Sequence, residues 1–186
     1  MKKSYFHLLL TVFIIFAFLS SVNNIYSQKE KKPQYIGVKK CAPLCHNKAA
    51  IGEQYNIWQK SLHAKAFTTL ASPRAKLHAE SAKVKDNPQE NTVCLKCHTA
   101  GGGQDESSFA VTYSKEEGVT CEACHGPGSI YKSISIMRDR EKFLANGGIL
   151  PKEKDCLKCH NDSVHTMHEF NFAEKWKIIA HPIPKK

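Results

Sequence analysis

Every cysteine in this 186-residue chain belongs to a pair that is followed at once by a histidine. Three pairs read Cys-x-x-Cys-His: Cys94, Cys97 and His98; Cys121, Cys124 and His125; Cys156, Cys159 and His160. The remaining pair, Cys41 and Cys45 before His46, has one more residue between its thiols. Cys-x-x-Cys-His is the attachment signal for c-type haem. Two thiols add to the porphyrin vinyl groups, and the adjacent imidazole reaches the iron as proximal ligand. The longer spacing at Cys41 requires a local bulge to bring both sulfurs to the vinyls. Eight cysteines in disulfides could pair in 105 ways, and none of those pairings calls for the histidines. A zinc ribbon accounts for two pairs and again leaves the histidines without a role.

Four covalent haems in so short a chain largely decide the fold. Residues 1–27 read as an export signal. Lys2 and Lys3 precede an apolar run from Leu8 to Leu19, and Ile25, Tyr26 and Ser27 offer a cleavage site. That run is shorter than the ~20 residues of a spanning helix. An uncleaved anchor is the alternative and the one membrane attachment considered. Residues 28–40 read as a basic, solvated lead-in arm, and residues 41–186 as the tetrahaem domain. About 40 residues then serve each haem, too few for a conventional apolar core. The sequence predicts a mainly α fold with long irregular loops, a multihaem cytochrome c fold wrapped around four closely packed haems.

The formal charge of +10 points the same way. Four haems bring eight propionates, which offset most of it. No stacking aromatics interleave with the lysines, so the basic balance is not a nucleic-acid signature.

Along the chain, Tyr55, Trp58, Leu62 and Phe67 recur at roughly helical spacing. Ser72 and Pro73 read as the N-cap and first residue of a second helix ending at Asp86, Asn87 and Pro88. Phe109 to Tyr113 reads as a short strand. Ile130, Ile134 and Met137 fall on one face of a helix that Gly147 and Gly148 end, and 172–180 reads as a last short helix.

The chemistry turns on the second axial ligand of each iron. A haem closed by His or Met carries electrons, whereas an open one binds small molecules. Outside the signal and the proximal set remain His63, His78, His165, His168 and His181, with Met137 and Met167. Each histidine could equally lie at the surface, and Met137 could be a packing residue.

Two stretches resemble the tetrahaem cytochrome c-554 family. Gly37-Val-Lys-Lys-Cys41, Trp58, Ser61 and His63-Ala-Lys-Ala66 look like its N-terminal haem unit. Gly118-Val-Thr-Cys121-Glu-Ala-Cys124-His125-Gly-Pro-Gly128 is similar to its third haem site. The resemblance spans about residues 35 to 165. It implies a helical, loop-rich shell around haem pairs, with three haems six-coordinate and one five-coordinate. It makes His63 a distal ligand and matches His181 loosely to another. Where the family carries a distal histidine after the third site, this chain offers Met137 as the nearest replacement. The open iron would be the one on His98, while His78, His165 and His168 have no firm counterpart.

The resulting expectation is a periplasmic or extracellular tetrahaem c-type cytochrome, not itself an enzyme, that moves electrons between redox partner proteins. The rival is a reductase or sensor for NO, hydroxylamine or nitrite at one open haem.

Overall fold

The computed structural model describes residues 31–42, 46–162 and 169–181. The signal segment, Cys45, His165 and His168 lie outside the described residues. Among the described residues, the structure is helical with no sheet. The helices are α1 (Gln54–Lys60), α2 (Ala66–Thr69), α3 (Pro73–Ser81), α4 (Thr92–His98), α5 (Cys121–His125), α6 (Ile134–Met137), α7 (Arg140–Ala145), α8 (Glu153–Cys156) and α9 (Phe172–Ile179). Most are two turns or fewer, too short to be stable alone. They depend on what they pack against.

Local chemistry sets their ends. Ser72 caps α3 by accepting from Ala75 N, with Pro73 in its first turn, as the sequence predicts. The helix stops at Ser81, well before Asp86. Lys83 takes a left-handed conformation (φ 57). Lys83 N–H donates to Glu80 O, and Val84 N–H donates to Ala79 O. That is a Schellman ending with lysine where glycine is usual. The helix expected across Ile130 to Gly147 is divided. The Asp139 carboxylate accepts from Lys142 N and starts α7 afresh. The strand expected at Phe109 to Tyr113 is absent. Phe109 makes one isolated parallel bridge to Tyr35, and its ring packs instead with Tyr35 and Tyr113.

The lead-in is only partly solvated. Ile36, Gly37 and Val38 are buried, Ile36 to 3% exposure. They belong to the compact unit Pro33–Lys186. Among the described residues the buried apolar set is small, comprising Ile36, Val38, Ala42, Phe67, Leu70, Ala100 and Tyr131. Large apolar side chains stay exposed beside the motif residues: Leu62 (81%) next to His63, and Val93 (71%) next to Cys94.

Candidate haem-binding site

The motif histidines are carried by short helices or turns, and main-chain carbonyls orient two of them. His98 ends α4, whose N-cap Asn91 accepts from Val93 N. Its Nδ1 lies 2.8 Å from Ala66 O. His125 ends α5, and its Nδ1 lies 3.0 Å from Ile149 O, while Ile149 N–H donates back to His125 O at 2.9 Å. Such a bond places the proton on Nδ1 and leaves the Nε2 lone pair for a metal.

Three of the four motif histidines face a second candidate ligand. His46 Nε2 lies 3.4 Å from Met137 Sδ, across 91 positions of sequence. The rings of His63 and His160 are 5.9 Å apart between centroids, and those of His125 and His181 are 5.8 Å apart. His181 Nδ1 is also 2.9 Å from a carbonyl, that of Ile179. Among the described residues no ring faces His98 in this way. His78 lies 3.3 Å from Arg74 Nε on α3.

His63 is held by long-range main-chain contacts. Val119 N–H donates to His63 O at 3.0 Å, and Trp58 Nε1–H donates to Val119 O at 2.8 Å. Gly118 (φ 75) passes so close that a Cβ there would stand 2.7 Å from His63 O. The stretch His63 to Ala66 therefore serves two sites, presenting one imidazole toward His160 and one carbonyl to His98.

Burial lowers the proton affinity of His63, His125 and His160, which keeps their rings neutral and able to donate a lone pair. His160 stacks on Phe170 at 4.7 Å, and its buried Nδ1 has no hydrogen-bond partner. The cysteines also meet between motifs. Cys41 and Cys121 hydrogen-bond, which raises the first thiol and lowers the second, with burial raising both. Cys159 hydrogen-bonds with Cys97 and, chiefly through burial, is pushed up to about 12. Cys124, close enough to feel the charge of Cys156, is pushed up to about 11, again chiefly by burial.

These residues fit haem. A metal–imidazole bond of about 2.0 Å on each side, with the ring centroid roughly 1 Å further back, puts facing rings about 6 Å apart. The two histidine pairs meet that spacing. The His46–Met137 pair must open by about 1 Å to admit an iron at similar bond lengths. The donors, neutral imidazole and thioether, are those haem iron takes. Exposed Leu62 and Val93 offer the apolar contact that a porphyrin face needs.

Some functional groups carry no legible sequence signal. The carbonyls of Ala66 and Ile149 belong to residues without distinctive side chains. Glu122 is an acidic residue inside an attachment motif and is fully buried. The nearby glycines were its only trace, because a Cβ on Gly128 would come 3.1 Å from its carboxylate.

Comparison with known families matches residues 40–126 to cytochrome c554 and c-prime. That span holds His63 and the motifs of His46, His98 and His125, and it ends before the fourth motif. Cytochrome c-554 of Nitrosomonas europaea is 31% identical over 144 residues, covering 75% of this chain and 54% of that protein. The chain thus spans about half the length of this relative. No solved structure matches the chain. Over these spans the chain is similar to cytochrome c554 and c-prime and to cytochrome c-554.

Proposed function

We propose that this chain is an exported tetrahaem c-type cytochrome that carries electrons between redox partner proteins. The observation that carries the reading is the set of close pairs: three of the four motif histidines lie beside a histidine or methionine, at 3.4 Å between His46 Nε2 and Met137 Sδ and at 5.8 to 5.9 Å between ring centroids for the other two. In this reading His46 pairs with Met137, His160 with His63 and His125 with His181. Cys41 and Cys45, Cys94 and Cys97, Cys121 and Cys124, and Cys156 and Cys159 provide the thioether links.

When bound, haem supplies a one-electron ferric–ferrous couple. The chain's own residues do the rest. The carbonyls of Ala66, Ile149 and Ile179 fix which imidazole nitrogen is free. Met137, His63 and His181 would hold the second ligand position of the haems bound by His46, His160 and His125. Cysteine hydrogen bonds join the first site to the third and the second to the fourth, and Cys124 lies near enough to Cys156 to feel its charge, so the four attachment points form one series. Electron transfer across such a series needs no substrate pocket or general acid.

The second reading, a reductase or sensor for NO, hydroxylamine or nitrite, rests on His98 alone. It is anchored by a carbonyl as His125 is, but unopposed among the described residues. Turnover there also needs a positioned proton donor.

Intact mass of the purified holoprotein tests the first reading. Four haem additions are expected, and three would mean that Cys41 and Cys45 are not used. Carbon monoxide added to the reduced protein tests the second. Binding at one haem in four keeps it open, and no binding removes it.

A further inference from the structure

Glu122 is the largest side chain that the described residues bury completely, at 1% exposure. Its Oε1 accepts from Ile36 N at 2.9 Å and from Gly128 N at 2.7 Å. Its Oε2 accepts from Ile36 N at 3.0 Å and from Gly37 N at 2.8 Å. Every contact is a donor, so a proton on either oxygen would face an amide N–H and find no acceptor. The cradle is built for a carboxylate. Burial, with Glu117 adding to it, leaves its proton affinity above the ordinary carboxylate value, and the three amides hold that rise in check.

An anion in such a place normally needs a cation. The ion pairs among the described residues are Asp139–Lys142 and Asp155–Lys158. The charge that acts on Glu122 is that of Glu117, also acidic. Glu122 directly follows Cys121, and its charge also acts on Cys41. Those cysteines are attachment points of the third and first sites.

We propose that Glu122 is a fixed negative charge placed beside the first and third haem sites, where it favours the oxidised state of both. The inference rests on the tetrahaem reading. A ferric haem carries one more positive charge than a ferrous haem, and a buried carboxylate distinguishes the two with little screening. A purely structural staple between Ile36, Gly37 and Gly128 would need acceptors but no charge.

The test is a potentiometric titration of Glu122→Gln and Glu122→Asp holoproteins, with haems counted by intact mass. In the Gln variant two of the four haems should become easier to reduce. Each should shift at least tenfold in its one-electron equilibrium constant, about 59 mV, with the other two moving less. The Asp variant keeps the charge and should stay close to wild type, even where it loses as much stability. A count other than four overturns the tetrahaem reading. Four haems with unmoved potentials, or equal shifts in Gln and Asp, overturn the role of Glu122. If the Gln variant yields no holoprotein, redox-difference infrared spectra of the wild type decide. A carboxylate band that shifts on reduction is expected. A protonated carboxyl band in the oxidised protein at neutral pH overturns the fixed charge.

Discussion

The sites of His98 and His125 are built alike on one side and differently on the other. Each histidine ends a short helix, and each holds a carbonyl at its Nδ1, at 2.8 and 3.0 Å. His125 also looks at His181 across 5.8 Å, whereas His98 has no such partner among the described residues. Anchoring is thus supplied by a segment nearby in space and asks nothing of side-chain identity. Closing a site requires a specific ligand delivered from a distant part of the chain. A small change can therefore remove the second without disturbing the first.

The largest effect expected from breaking this contrast is at His181. Replacing it with Ala should leave His125 anchored to Ile149 and make the third site resemble the second. One haem should pass from low spin to high spin by electron paramagnetic resonance, and carbon monoxide should then bind two haems in place of one. A high-spin count that does not change would take His181 out of the ligand set.

Met137 sharpens the comparison in a different way, because in the proposed reading sulfur closes its site. Methionine–histidine ligation raises the reduction potential of haem. The oxidised wild type should show the near-infrared methionine charge-transfer band, and one haem should titrate well above the others. Met137→Ala should abolish the band and lower or remove the highest potential. Without that band in the wild type, Met137 is a packing residue and its 3.4 Å approach to His46 is only a contact.

Gly118 tests anchoring at the fourth site. Its positive φ and its approach to His63 O leave no space for a side chain. Gly118→Ala should cost about 3 kcal/mol in backbone strain. It should also push the His63 turn and convert part of one haem to high spin. A variant that loses stability with a wholly low-spin spectrum at that site would mean His63 does not ligate.

What could be read from the sequence follows the range of the interaction. The Cys/His motifs are local patterns, and the start of α3 is a local cap, so their positions were legible. The end of α3 was not, because Lys83 adopts a conformation that its type seldom takes. Ile130 to Gly147 shows helical periodicity throughout, but Asp139 prefers to cap the next helix, so α6 ends at Met137. Phe109 and Tyr113 have strand-forming side chains, and their rings are occupied with Tyr35. The distal candidates His63, Met137 and His181 came from residue type and resemblance. Which motif each would face was illegible, since the pairing is set by contacts such as Trp58 to Val119 that no periodicity reveals.

The smallest expected effect compares two helix caps. Ser72 and Asn91 perform the same task, each accepting a first-turn N–H, at 3.2 Å for Ser72 and 2.9 Å for Asn91. Loss of either cap by substitution with Ala should cost about 1 kcal/mol. The two helices differ in what they carry. Helix α3 holds no attachment residue, whereas α4 carries Cys94, Cys97 and His98 within its seven residues. Ser72→Ala should therefore lower the thermal midpoint and leave the haem spectrum and carbon monoxide kinetics unchanged. Asn91→Ala should lower the midpoint by a similar amount and also alter the rate of carbon monoxide binding. A loosened α4 weakens the grip of Ala66 O on His98. Equal kinetics in the two variants would show that the Ala66 contact holds His98 without help from its helix, or that carbon monoxide binds elsewhere. Repeating the measurement in His181→Ala, where the third site is opened as well, separates these outcomes. Only a signal from the second site should respond to Asn91.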